Sequence, residues 1–242
     1  MTSLEELRKI NARCIHCRAC QYAYSNEPDR EGKDETYTGM LQGCPAGLYY
    51  GWEGYYNSGK QWMARAFLNG ELPASKEFLE ITEACTTCGM CETQCPNYID
   101  TVHVTEALRA AIIEAGVEPL SKHKGMGDRV AIAEMRNPYG EPREERTKWL
   151  GENKDAIDKS KTGIAYYIGC TAAYRQQQIA DHTASILRKL GVEFTVVSDE
   201  VCCGSPILRT GQRAGFKTVM EKNLELFRNM QRHQKLHRSE DN

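Results

Sequence analysis

Eleven cysteines punctuate this 242-residue chain, and eight of them repeat one grammar. The first set is Cys14-x-x-Cys17-x-x-Cys20 with Cys44-Pro45 further on. The second is Cys85-x-x-Cys88-x-x-Cys91-x-x-x-Cys95-Pro96. Two-residue spacers on a tight loop turn three thiolates toward one point, which suits a metal centre better than long-range crosslinks. A secreted disulfide scaffold is usually shorter and follows a signal peptide. Met1 to Arg13 has no apolar stretch of that kind and carries Glu5 and Glu6.

The second run resembles the bacterial ferredoxin signature, in which the fourth cysteine ordinarily binds the other cluster of a pair. Gly89 relieves crowding where the chain bends, and Pro96 turns it away after the fourth thiol. The first run follows the same rule with a long insertion before Cys44. Two [4Fe–4S] clusters are therefore expected. Crossed ligation gives cluster one Cys14, Cys17, Cys20 and Cys95, and cluster two Cys85, Cys88, Cys91 and Cys44. Local ligation is the alternative, with Cys44 joining the first triad and Cys95 the second. Structural zinc is the plainer rival, but zinc ribbons show pairs of Cys-x-x-Cys rather than triads with a Cys-Pro. His16 lies inside the first loop and reads as a solvated loop residue.

These thiols need elements to hold them. Ser3 caps a short helix to Ala12 that runs into the first cysteine run, with Glu6 completing a capping box. Ser25 to Asn57, rich in Gly, Asp, Glu and Tyr, reads as loops. Helices follow over Gln61 to Phe67 and from Ser75 to Ala84, the latter running into the second cysteine run. A helix over Thr101 to Ala115 ends at Gly116. The helices between the cysteine runs resemble the helical ferredoxin domains of fumarate reductase and heterodisulfide reductase. The expected fold class is α+β: a mostly helical dicluster module over residues 1–120, a charged linker over 121–162 with one short helix near Arg143 to Leu150, and a partial α/β domain over 163–242.

In that last domain Gly163 to Ile168 and Val192 to Val197 read as parallel strands around a helix from Thr171 to Leu190. A final helix is expected from about Gly215 to Arg232. Cys170 follows the first strand in Tyr167-Ile168-Gly169-Cys170, and Cys202-Cys203-Gly204 follows the second. Both sites then lie beyond the carboxyl ends of adjacent parallel strands, where open α/β sheets place ligands. The positive end of the helix at Thr171 would favour thiolates there. The bland alternative is three buried structural thiols.

Gly-Cys, then helix, Leu-Gly-Val and strand, then Cys-Cys-Gly-Ser-Pro, resembles the first half of a cysteine-rich "CCG" domain, as in the B and D components of heterodisulfide reductase. Related domains occur in a membrane complex of sulfite reduction and in iron–sulfur subunits of glycolate, lactate and glycerol-3-phosphate oxidation. The D component is the best match in domain order, and Asn137-Pro-Tyr-Gly-Glu-Pro-Arg143 with Trp149 resembles that family's linker. The resemblance implies Cys170, Cys202 and Cys203 as tentative catalytic residues, ligands of a noncubane [4Fe–4S] cluster where a disulfide is cleaved. The family's motif closes with a Cys-x-x-Cys, expected near Ser239 to Asn242, where this sequence has none; a second CCG motif is missing as well. The expectation is thus an N-terminal fragment, a split subunit or a degenerate copy. Its C-terminal site is expected to be empty or partly built, unless a partner completes it. His233 and His237, on a polar helical tail, are not expected as ligands.

A net charge of −2 offers no grip on nucleic acid. No apolar run approaches the ~20 residues a membrane-spanning helix needs. The expected setting is cytoplasmic, with membrane attachment only through a partner. The resemblance implies an electron-transfer subunit of a heterodisulfide-reductase-like oxidoreductase, served by a flavin- or hydrogenase-type subunit or a haem membrane subunit. The alternative is a subunit serving a flavin-dependent glycolate, lactate or glycerol-3-phosphate dehydrogenase. No nucleotide-binding glycine fingerprint is present, and Gly125-x-Gly127 is too little to count as one.

Overall fold

A computed structural model describes residues 3–24, 40–151, 156–158 and 162–240. The chain forms two compact units. One comprises residues up to Leu120 together with Arg209–Gly211, and the other takes the remainder from Ser121 onward.

In the first unit, helices α1 (Leu4–Ala12), α3 (Asn57–Leu68), α4 (Lys76–Glu83) and α6 (Thr101–Glu114) build the scaffold. Three of them start at side-chain caps. Ser3 Oγ accepts from Glu6 N–H at 3.1 Å, Ser75 Oγ from Phe78 N–H at 3.1 Å, and Asp100 Oδ1 from His103 N–H at 2.8 Å. Each cap satisfies a backbone donor that the helix leaves free, worth about 1 kcal/mol. Helix α6 supplies both halves of the core. Val104 and Ala107 pack with Leu7 and Ile99, while Leu108 and Ile112 pack with Ala64, Phe78 and Leu79. Burying each such side chain contributes about 1.5–3 kcal/mol.

Two short helices, α2 (Pro45–Tyr50) and α5 (Met90–Thr93), and an antiparallel pair, β1 (Tyr22–Tyr24) with β2 (Met40–Gln42), complete this unit. The stretch read as loops up to Asn57 therefore contains helix α2 and a 3-10 turn, Glu53–Tyr55; residues 25–39 of that stretch lie outside the described residues. Proline at the first position of α2, with glycine at 51 in the left-handed region (φ 67°), gives this short helix its two ends. Helix α3 starts at Asn57, earlier than the apolar pattern predicts. Its opening residues Asn57, Ser58, Lys60 and Gln61 are polar yet buried, so a hydrophobic period cannot reveal them.

The second unit contains α7 (Ser121–Ala131), a 3-10 helix over Arg143–Leu150, β3 (Ala165–Tyr166), α8 (Cys170–Tyr174), α9 (Gln177–Lys189), β4 (Thr195–Val196), α10 (Ser205–Arg209) and α11 (Arg213–Glu240). Strands β3 and β4 pair in parallel, Ala165 with Thr195 and Tyr166 with Val196. The expected strands shrink to these two-residue pairings, and Ile157 bridges to Val196 in parallel as well. The charged stretch read as a linker is packed structure. It supplies α7 and the buried residues Val130, Asn137, Arg146, Leu150 and Ala156. The helix expected from Thr171 to Leu190 breaks at Arg175 and Gln176. There Arg175 turns toward Glu141 (2.8 Å) and lies over the Tyr139 ring at 4.7 Å.

Candidate metal centres

The two cysteine loops of the first unit repeat each other in backbone as well as in sequence. Each leaves a serine-capped helix, α1 before Cys14 and α4 before Cys85. Each then passes through the left-handed region at the second and fourth residues after its first cysteine. Those residues are His16 (φ 55°) and Arg18 (φ 65°) in one loop, Thr87 (φ 53°) and Gly89 (φ 81°) in the other. Glycine occupies one of the four positions, so the other three hold a conformation L-residues adopt at a cost of about 1–2 kcal/mol. This winding aims backbone N–H groups at sulfur: Thr87 N–H lies 3.4 Å from Cys85 Sγ, and His16 N–H bonds Cys14 likewise. An arginine holds the back of each loop. Arg65 donates to the Cys14 carbonyl at 2.9 Å, and Arg109 to the Cys85 carbonyl at 2.7 Å.

Cys14, Cys17, Cys20 and Cys95 line one cavity, whereas Cys44, Cys85, Cys88 and Cys91 line another. Each fourth cysteine thus faces the triad of the other run. Arg13 ties the first crossing, donating to the Tyr98 carbonyl at 2.6 Å while its own carbonyl accepts from Asn97 Nδ2 at 2.7 Å. Asn57 and Thr101 line both cavities and form a common wall. Thr101 Oγ1 lies 2.9 Å from Cys91 Sγ, and Asn57 and Ser58 hydrogen-bond Cys20. Lys60, buried, lines the cavity of Cys44, Cys85, Cys88 and Cys91.

The donor sets fit iron–sulfur clusters. Burial raises the Cys14 and Cys20 thiols and pushes Cys91 up to about 12, against the hydrogen bond from Thr101. Such sulfurs ionise only when a cation in the cavity repays desolvation. Among the described residues no three His, Cys, Asp or Glu side chains converge closely enough for a single metal ion; each set instead surrounds an open volume. His16 is more than a solvated loop residue. Its half-buried ring stacks on Trp62 at 3.7 Å, with Nδ1 3.8 Å from Cys14 Sγ.

The second unit brings Cys170, Cys202 and Cys203 together. Cys202 hydrogen-bonds both of the other thiols. That bond is the main cause lowering Cys170, and it pushes Cys203 down to about 6, while Cys202 itself is driven strongly upward. Cys170 and Cys202 are buried and Cys203 is exposed. Helix α8, expected to run to Leu190 and favour thiolates through its dipole, is five residues long. The local cation is Arg146, 2% exposed, with Nη2 3.2 Å from Cys170 Sγ and Nη1 2.5 Å from Glu200 Oε1. Glu200 accepts from the backbone N–H of Ile168 and Gly169, at 2.9 and 2.8 Å. Sequence reasoning missed Arg146, Glu200, Lys60, Asn57 and Thr101. A buried ion pair or polar wall leaves no periodic trace. His233 and His237 lie on α11, where side chains are outside the described residues.

Two families match separate stretches of the chain. Residues 10–99 match the family described as a 4Fe-4S dicluster domain, and residues 164–236 match the cysteine-rich CCG domain. Over 164 residues the chain is 39% identical to the D component of the dihydromethanophenazine:CoB–CoM heterodisulfide reductase of Methanosarcina acetivorans, covering 66% of this chain and 39% of that protein. It is 30% identical over 230 residues to an iron–sulfur protein of Methanococcus maripaludis, covering 93% and 41%. To an EtfAB:quinone oxidoreductase of Syntrophomonas wolfei it is 27% identical over 156 residues, covering 60% and 21%. The chain spans about two fifths of the length of the first two relatives. No solved structure matches it significantly. Among the described residues no helix is long and apolar enough to cross a membrane. The chain is related to the D component of heterodisulfide reductase, with a mostly helical 4Fe-4S dicluster domain followed by a CCG domain.

Proposed function

We propose that the first unit holds two [4Fe–4S] clusters with crossed ligation. Cys14, Cys17, Cys20 and Cys95 would hold one, and Cys44, Cys85, Cys88 and Cys91 the other. The observation that carries this reading is the pair of four-cysteine cavities sharing the Asn57–Thr101 wall. When bound, such clusters supply one-electron transfer at low potential. The protein's own part is to exclude water, aim N–H groups at the sulfurs and keep the two sites adjacent.

In this proposal the module serves a heterodisulfide-reductase-like complex, taking electrons from a flavin, hydrogenase-type or haem partner toward the thiol site of the second unit. The net chemistry there is reductive: a disulfide takes two electrons and two protons, its S–S bond breaks, and two thiols leave. Cys170, Cys202 and Cys203 would be ligands of a noncubane cluster, with further donors from a partner or from substrate sulfur. The likeness to an EtfAB:quinone oxidoreductase favours a second reading, in which electrons run from a flavin dehydrogenase to a quinone.

Anaerobic purification with iron and sulfide counts and EPR tests the assignment. The dicluster module should carry about eight irons. Cys95→Ser should perturb the signal of the Cys14 set, and Cys44→Ser that of the Cys85 set. The reverse pattern would establish local ligation.

A further inference from the structure

Lys60 lies in the first turns of α3, is 3% exposed, and lines the cavity of Cys44, Cys85, Cys88 and Cys91. Its ammonium donates to the Tyr55 carbonyl. Among the described residues it has no carboxylate partner. Removing an unpaired ammonium from water is expensive, several kcal/mol, unless a counter-charge stands near. The thiolates of the cavity are the negative groups within reach.

The other cavity has no equivalent. Arg18 lines it, but its side chain is 65% exposed and faces Glu53 at 3.7 Å, so water and the carboxylate screen it. His16 belongs to the cysteine loop itself, and its ring stacks on Trp62 at 3.7 Å. Arg65 and Arg109 occupy matching places behind the two loops. Arg109 is paired with buried Glu83 at 3.5 Å, whereas half-buried Arg65 lies over the Trp62 ring and acts on Cys14 from behind its loop rather than from the cavity wall. Among the described residues, the buried cation in a cavity wall is therefore Lys60.

A cluster on four thiolates is anionic and gains a further negative charge on reduction. A cation held in the low-dielectric wall stabilises the reduced form more than the oxidised form and raises the potential. We infer that Lys60 makes the cluster held by Cys44, Cys85, Cys88 and Cys91 the higher-potential member of the pair, the one on which an electron entering the module comes to rest. This rests on the dicluster reading above.

The test is an EPR-monitored redox titration of the anaerobically purified full chain, with signals assigned through Cys44→Ser and Cys95→Ser. The Cys44-set cluster should be reduced first in the unaltered protein. Lys60→Met should lower its reduced-to-oxidised ratio at fixed ambient potential by about tenfold, or ~59 mV for a one-electron couple. The ratio for the Cys14-set cluster should change less than about twofold, and Lys60→Arg should restore the original order. Two intact clusters with both potentials unmoved in Lys60→Met would overturn the inference and leave the dicluster reading standing. So would reduction of the Cys14 set first in the unaltered protein, a result independent of how any Lys60 variant folds. Absence of two cubane signals from the unaltered protein would instead overturn the dicluster reading, and the inference with it.

Discussion

Arg146 Nη2 stands 3.2 Å from Cys170 Sγ, buried in a segment whose sequence reads as a charged linker. The other arm of the same guanidinium holds Glu200, and Glu200 in turn binds the backbone just ahead of Cys170. One ion pair thus clasps the loop carrying Cys170 to the loop carrying Cys202 and Cys203. The Tyr174 ring, 5.3 Å from the guanidinium carbon, covers it.

Removing half of a buried pair leaves the other half unpaired. Arg146→Met should therefore destabilise the second unit by about 3–5 kcal/mol in urea unfolding followed by circular dichroism. Arg146→Lys should fall between, since it keeps the charge but loses the fork that reaches both partners. A Met variant within about 1 kcal/mol of the parent would show that the clasp is not structural.

Cys203 is exposed, and the hydrogen bond from Cys202 lowers its thiol to about 6. Lowering means the thiolate predominates above that pH. In iron-free protein, iodoacetamide labelling of Cys203 should rise through about pH 6 and level off by neutrality, while Cys202 resists. Peptide mapping across a pH series reads this out. A midpoint at the ordinary thiol value of ~8.5 would refute the hydrogen-bonded arrangement.

Cys88 is the central thiol of its triad and faces the Cys44 cavity. Cys88→Ser should diminish the signal of that cluster well before the other. Circular dichroism separates this from collapse of the module. Equal loss of both signals in a folded variant would contradict the assignment.

Gly204 has φ +82°, and a Cβ there would stand 2.7 Å from both Phe216 and Val219 side-chain atoms. Its N–H also lies 3.4 Å from Cys202 Sγ. Gly204→Ala combines a left-handed penalty with overpacking, together about 2–5 kcal/mol. Thermal unfolding should show the loss, and Cys203 labelling should lose its low-pH character as the turn shifts.

The cysteine spacing made the grouping of the eight thiols around two cavities legible, because three thiols on one tight loop turn toward one point. The capped helices α1 and α4 were legible too, since serine before an amphipathic run is a local signal, and α6 through its apolar period and closing Gly116. The polar start of α3 was not, because Asn57, Ser58 and Lys60 are buried by what they face rather than by what they are. Arg146 was hidden for the same reason. A lone arginine among Arg143, Glu144, Glu145 and Lys148 carries no mark of its partner 54 residues away. Strands β3 and β4 were overextended because β-branched runs such as Val192 to Val197 report burial more faithfully than pairing.

The meeting of Cys95 with Cys14, 81 residues apart in sequence, has a consequence for how the module closes. Neither four-cysteine cavity can be lined by one cysteine run alone, because each takes its fourth thiol from the other run and part of its wall from Asn57 and Thr101. A nascent segment bearing one triad offers three thiols and no enclosure. Cluster binding and closure of the module are therefore one coupled event, with Cys17 and Cys88 the exposed thiols of the two sets.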